Sequence, residues 1–355
     1  MLRRALLIVF LFATFASAQR VTLNFRNCVD VADKTIEGMS GVTYTGVDDT
    51  YWVVLDNSNR VVKFQIKLAA DGSIQSCKIL GEVKLIQQKD FEGIAFTSAA
   101  RNSVFLADES PGITEYRLSD GRPIRLVDVP GVFRHVVANQ GFESLSLSPN
   151  GKTLWTANER ALAIDGNLKV MAEPMFATTR CRLQRFTIDG ESIKPSGQFL
   201  YRTSGVHDIG GQIGLCDLVA LPDGRLLSLE RSAAKNLSDF YSVRTRIFLI
   251  NMKDATDLTG PPYEAGLPKD DQAIKPVAKT PLYDGILCDR DGENLEGLCL
   301  GPQPGPDRFS VIGVVDSTDG PMHVSQSRVV AFVLNLKAPP ATRSSTTTGK
   351  ASADQ

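Results

Sequence analysis

Histidine is scarce. The chain of 355 residues has three, His135, His207 and His323, and none form a His-x-x-x-His pair, which excludes the helical zinc-hydrolase pattern. Arg134-His135 is followed by Val136, so the Arg-His-Gly signature of histidine acid phosphatases is missing. No Cys-x-x-Cys occurs among the six cysteines, which argues against a zinc ribbon or a thioredoxin-type redox site. There is no Gly-x-Ser-x-Gly elbow, because Gly38-Met39-Ser40-Gly41 has the wrong spacing. A glycine-rich phosphate loop is also lacking. Charge of one sign is not in excess: 39 Lys+Arg stand against 40 Asp+Glu, a net charge of -1. Nucleic acid is therefore not an expected partner, since phosphate binding needs a basic surplus or stripe. After the first 18 residues no apolar run is long enough to span a bilayer, and no segment has a long helical period.

What is present describes an exported globular protein. Hydrophobic residues make up 43% and charged residues 22%, ordinary values for a folded domain. Arg3 and Arg4 precede an apolar run over 5–15 and the small-x-small triplet Ala16-Ser17-Ala18. This is the pattern of a cleaved signal peptide over 1–18. A folded domain is expected over 19–337, and a disordered tail rich in Pro, Ser, Thr and Ala over 338–355. Secretion, or a periplasm if the source has one, follows, and a monomer is expected. Export makes Cys28, Cys77, Cys181, Cys216, Cys288 and Cys299 available for disulfides. Six cysteines allow 15 pairings, and spacing does not choose among them. Asn236-Leu237-Ser238 is a glycosylation sequon.

One pattern returns five times. Met39-Ser40-Gly41-Val42 leads to Val53-Val54-Leu55-Asp56, and Phe91-Glu92-Gly93-Ile94 leads to Leu106-Ala107-Asp108-Glu109. Phe142-Glu143-Ser144-Leu145 leads to Thr156-Ala157-Asn158-Glu159, Cys216-Asp217-Leu218-Val219 to Ser228-Leu229-Glu230-Arg231, and Leu295-Glu296-Gly297-Leu298 to Gly313-Val314-Val315-Asp316. Turn signals such as Ser148-Pro149-Asn150-Gly151 and Pro222-Asp223-Gly224 join the two runs of a copy, the mark of hairpins. A second strand pair follows each hairpin. Four antiparallel strands repeated radially describe an all-β propeller. The last copy supplies three strands, and 21–28 at the other end can provide the fourth and close the ring, removing open edges. The direct count is five blades, with room for a sixth in 161–180 and 232–293. Strands here alternate little, as expected when neighbouring blades cover both faces. Gly93, Ala95, Ser144, Ser146, Gly297 and Cys299 are small, which suits crowding near the axis. Trp52 and Trp155 lie inside strands and are expected in the core.

The pieces Ser40-Gly41, Asp90-Phe91-Glu92-Gly93, Gly141-Phe142-Glu143-Ser144-Leu145, Asn158-Glu159, Leu229-Glu230-Arg231 and Asn294-Leu295-Glu296-Gly297-Leu298 resemble, in order, the phytase-like family, also described as the esterase-like activity of phytase. The resemblance covers roughly 36–335. Ser144 departs from it where Gly would be expected, and the acidic, Pro-rich stretch near 254–276 is a variable insertion. The resemblance implies a propeller that hydrolyses phosphate esters or carboxylic esters, although fold transfers more readily than reaction.

Topology gathers the acids. The start of an inner strand and the end of the next strand lie at the same end of a hairpin, so the radial repeat collects them at one mouth of the channel. Asp56, Glu92, Glu143, Asp217, Glu296 and Asp316 are the candidate metal ligands. Crowded carboxylates raise one another's pKa unless a cation sits among them, and calcium accepts six to eight oxygens in flexible geometry. Glu92, Glu143, Glu296 and Arg231 are the candidate catalytic groups. Arg160 and Arg231, each beside a rim acid, could grip a small anionic or ester substrate; Lys235 and Arg180 are weaker candidates. A bland reading stands beside this: a strand-start acid can simply accept backbone N–H bonds. His207 with Asp208 offers the makings of a serine triad, with no geometry visible. An alternative from another class is a non-catalytic extracellular propeller that binds a protein or glycan through a loop face built from 161–180 and 252–276.

Overall fold

The computed structural model describes residues 21–166, 178–208, 211–235, 241–288, 292–317 and 326–336. The expected signal peptide, the tail, the sequon at Asn236 and His323 lie outside the described residues.

Five four-stranded antiparallel sheets follow one another along the chain. Blade I contains β2 (Met39–Tyr44), β3 (Thr50–Leu55), β4 (Ser58–Leu68) and β5 (Ile74–Lys89). Blade II contains β6 (Phe91–Phe96), β7 (Ser103–Asp108), β8 (Gly112–Arg117) and β9 (Pro123–Leu126). Blade III is β10 (Phe142–Leu147), β11 (Thr153–Asn158), β12 (Arg180–Asp189) and β13 (Ser192–Arg202). Blade IV is β14 (Gln212–Ala220), β15 (Leu226–Lys235), β16 (Tyr241–Asn251) and β17 (Ala278–Gly285). Blade V combines β18 (Leu295–Leu300), β19 (Arg308–Val315) and β20 (Arg328–Asn335) with β1 (Thr22–Asp30), which pairs with β20 from the far end of the sequence. The ring is therefore a five-bladed propeller closed by its first strand, and the long stretches contain no sixth blade among the described residues.

The weak alternation of the strands has the expected cause. A separate apolar cluster fills each seam between blades. Trp52, Val54, Phe91 and Leu106 pack between I and II, and Phe105, Phe133, Phe142 and Phe186 between II and III. Trp155, Leu183 and Leu218 serve III and IV, Leu229, Ile247, Leu298 and Phe332 serve IV and V, and Val53, Phe64, Ile312 and Val329 serve V and I. Each side chain buried this way contributes about 1.5–3 kcal/mol. Inner strands approach so closely that a Cβ on Gly93 would lie 2.6 Å from the Leu145 nitrogen and one on Gly297 2.6 Å from the Ser40 carbonyl. Small residues there are a packing requirement.

Side chains also stitch the inner strands across the seams. The Phe96 amide donates to Thr43 Oγ1 at 3.0 Å, and the Ala220 amide to Ser146 Oγ at 2.8 Å. The stretch after β16 folds back over blade III instead of standing free. Leu258 N–H donates to the Gln198 carbonyl at 2.7 Å and Val277 N–H to that of Leu200 at 3.0 Å. Leu200, Leu258, Leu267 and Ile274 form a small core beneath it. Its neighbour is a fully buried Arg182–Asp165 pair at 2.5 Å.

Of the six cysteines, Cys28 and Cys288 form a disulfide, joining β1 to the loop before β18. Cys77, Cys181, Cys216 and Cys299 are unpaired thiols. They sit on four different blades, in strands already fixed by pairing and packing.

Candidate functional site

A β-bulge interrupts the start of every inner strand at the same place. The pairing register shifts between Met39 and Gly41, Phe91 and Gly93, Phe142 and Ser144, Leu215 and Asp217, and Leu295 and Gly297. The extra residues are Ser40, Glu92, Glu143, Cys216 and Glu296. A bulge re-aims the side chain it carries, and here three of the five are glutamates. On the facing strand, the residue after the pair that precedes the bulge is Asp56, Glu109, Glu159, Arg231 or Asp316; in four blades it lies beyond the last pair, while Arg231 still pairs with Gly214. In four blades its amide bonds back across the hairpin, to Gly38, Asp90, Gly141 and Asn294 respectively. Eight carboxylates and two arginines thus come to one end of the ring: Asp56, Asp90, Glu92, Glu109, Glu143, Glu159, Glu296 and Asp316, with Arg231 and, beside Glu159, Arg160.

Arg231 organises one side of this mouth. It donates to Asn294 Oδ1 at 2.7 Å and to Glu296, and reaches Glu159 Oε1 at 3.3 Å. Three blades are thereby tied to one guanidinium. Asn294 also bonds Glu296 Oε1 at 3.0 Å and Asp316 Oδ2 at 3.1 Å. Arg160 lies against Glu159 at 3.4 Å and donates to Gln212 at 2.8 Å, while its buried Nε has no hydrogen-bond acceptor.

The other side has no such cation among the described residues. One oxygen from each of Asp56, Asp90 and Glu92 lies within 4.8 Å of the others. Buried oxygens of Asp56, Asp90 and Asp316 have no hydrogen-bond donor. Burial, and then Asp90 and Glu296, push Asp56 up to about 7. Burial and the charges of Glu296 and Asp56 push Asp316 up to about 8. Glu92 rises well above the usual carboxylate range through burial and repulsion from Glu296, Asp56, Asp90 and Glu109. Glu143 rises likewise through burial and the charges of Glu92, Glu159 and Glu109. For Glu296, burial raises the pKa and Arg231 pulls it back.

Of the residues expected at this mouth, Asp56, Glu92, Glu143, Glu296, Asp316, Arg160 and Arg231 reach it. Asp217 does not. The bulge in blade IV falls on Cys216, so Asp217 takes the register position of Gly93 and Gly297 and turns into the seam. Its oxygens accept the Leu218 amide at 2.7 Å and the Leu298 amide at 2.6 Å. Here the bland reading of a strand-start acid holds. Arg180 is engaged elsewhere, with Asp271 at 3.3 Å. Asp90 is the member that the pattern missed. Its place, one residue before the Phe91 that opens β6, matches that of Asn294 before Leu295, and that correspondence was the available signal.

The opposite mouth is different in kind. A cavity of about 380 Å³ there is lined by Thr43, Thr97, Ser146, Leu147, Leu300 and other ends of the inner strands. The channel is therefore acidic at one end and neutral at the other. Trp52 and Trp155 are in the core, as expected.

Fold and site together define a five-bladed propeller with a carboxylate-lined channel mouth. The chain belongs to the phytase-like family, described as the esterase-like activity of phytase, whose family model matches residues 34–317. Among solved structures it is similar to a luciferin-regenerating enzyme, at 10% identity and a TM-score of 0.41, over 89% of this chain and 95% of that one. A search of curated proteins returns no match.

Proposed function

We propose that this protein is an exported, calcium-assisted hydrolase of phosphate esters or carboxylic esters, working at the acidic mouth. The observation that carries the reading is the unneutralised corner: Asp56, Asp90 and Glu92 converge within 4.8 Å, with buried oxygens that lack donors. Hard oxygen donors of this number suit calcium, so Asp56, Asp90 and Glu92, with Asp316 beside them, would hold it. Bound there, calcium would supply Lewis-acid polarisation of a phosphoryl or carbonyl oxygen. Across the mouth, Arg231 and Arg160 supply guanidinium charge toward an anionic substrate. Burial and the neighbouring Glu92, Glu159 and Glu109 favour the protonated form of Glu143, which suits it to give a proton to a leaving group. Glu296, held by Arg231, keeps that cation in place.

The single disulfide and the absence of any helix among the described residues long and apolar enough to cross a membrane are consistent with export. The alternative of a loop-built binding face draws less support, because 252–277 is folded down on blade III.

Calorimetric titration of calcium, with hydrolysis of aryl phosphates and aryl esters measured with and without chelator, tests the proposal. Saturable binding that weakens at least tenfold in D56N and E92Q, with activity lost in the same variants, is expected. Unchanged binding in both, or none in the native chain, would rule out the corner.

A further inference from the structure

We propose that Ser242 and His207 form a second reactive site, a serine nucleophile with a histidine base, able to take the acyl group of a small carboxylic ester. The site lies where β15 and β16 run on beyond Arg231. In their pairing Ser232 stands opposite Arg244 and Ala234 opposite Ser242, so Ser232 and Ser242 are diagonal neighbours on one face of the hairpin. His207, from the loop before β14, lies across that diagonal. Its Nε2 is 2.8 Å from Ser242 Oγ and its Nδ1 is 2.7 Å from Ser232 Oγ. The His207 backbone amide also donates to Ser232 Oγ at 3.1 Å. Val206, Ile213 and Ala234 form a buried apolar floor beside it.

This is the arrangement that activates a weak hydroxyl nucleophile: a base within hydrogen-bond reach, itself held by a third group. Ser232 is buried and fixes the ring, while His207 and Ser242 are only partly covered. With Nδ1–H donating to Ser232, Nε2 is free to accept the Ser242 proton. Burial and the nearby Arg246 and Arg244 favour the neutral imidazole that a base requires, against a smaller opposing effect of Asp208 and Asp284.

In the first step Ser242 Oγ bonds to the ester carbonyl carbon as its proton passes to Nε2. The alkoxide leaves with that proton as its bond to the acyl carbon breaks. Water then attacks the acyl-serine, losing a proton to Nε2, and Ser242 recovers it as the acid departs. Nothing in this sequence uses the acidic mouth, so the two sites can fail separately.

A fluorophosphonate probe, read by peptide mass spectrometry on the full chain in chelator, tests it. Phosphonylation of Ser242 is expected, at least tenfold slower in H207Q and in S232A, and retained in S232T. Hydrolysis of p-nitrophenyl acetate in chelator should fall at least tenfold in S242A. Ser242 left unlabelled, labelling unchanged in H207Q, or hydrolysis unchanged in S242A would overturn the assignment. Should H207Q fail to fold by circular dichroism, S242A, on a partly exposed strand position, decides alone.

Discussion

Arg231 shows how one residue sets the character of a site. Without it eight carboxylates would face Arg160, which lies 3.4 Å from Glu159 at one edge, and Glu296 would lose its cation. With it, Glu159 and Glu296 share a guanidinium. Breaking a buried pair by removing one partner leaves uncompensated charge and costs about 3–5 kcal/mol. R231M should therefore lower the urea unfolding free energy by about that amount at pH 8. An unchanged midpoint would mean that the bonds from Arg231 to Glu159 and Glu296 contribute nothing net to stability. The corner without a cation makes a prediction of opposite character. Asp56 and Asp316, raised to about 7 and about 8, keep protons in the native state that an unfolded chain releases near pH 4. When the native state binds more protons, stability falls as pH rises. The calcium-free protein should thus lose melting temperature steadily from pH 5 to pH 8. Calcium must displace those protons, so its affinity should rise over the same interval. Melting scans in chelator showing a rise toward pH 8 would contradict both statements.

At the scale of the strand, the bulge decides which side chains reach the mouth. Five inner strands carry it, and the one-residue shift separates Glu92 from Gly93 and Cys216 from Asp217. Asp217 is the test case, because its carboxylate spans blades IV and V by holding the Leu298 amide. D217A leaves that amide unpaired in a closed seam, a loss of about 1–3 kcal/mol. D217N, which keeps an oxygen acceptor, should lose less. Both are measurable by urea denaturation, and equal losses would show that the bond to Leu298 contributes nothing. The same residue marks the limit of sequence reading. Short apolar runs, Asp-Gly turns and the five-fold spacing were legible, because each follows from local chemistry repeated along the chain. Glu92, Glu143 and Glu296 were legible for the same reason. A bulge leaves no residue signature in β14, so Cys216-Asp217 looked like Phe91-Glu92 displaced by one. Asp90 and Asn294 stand just before their strands, where a pattern built on strand starts does not look. The fold-back of 252–277 was hidden because its contacts, Leu258 to Gln198 and Val277 to Leu200, are fixed by packing between blades.

Across the whole molecule the question is what holds the ring shut. Each blade meets two neighbours, so opening one seam exposes two apolar faces at once. The seam between V and I is special because the sheet on one side of it, blade V, is completed by pairing the first and last described strands, β1 and β20. β1 is held by pairing with β20, and Asn27 reaches across to blade I, exchanging two bonds with the backbone of Ile74 at 3.0 and 2.8 Å. The disulfide adds a covalent tie between residues 260 apart in sequence. A cross-link closing so long a loop removes much of the freedom of the unfolded chain, an effect of about 3–5 kcal/mol. C288S should therefore fold, since β1 retains its ladder and the Asn27 bonds, but it should unfold at a lower denaturant concentration. Reductant should move the native protein to the same midpoint and leave C288S where it is. Hydrogen exchange locates the weakness: in C288S the amides of β1 should exchange ahead of those of β20 and β2, because without the tie β1 can leave before the seam opens. Coincident exchange of β1 and β2 would mean that the first strand and the ring open as one unit, with the ladder alone sufficient to close the propeller.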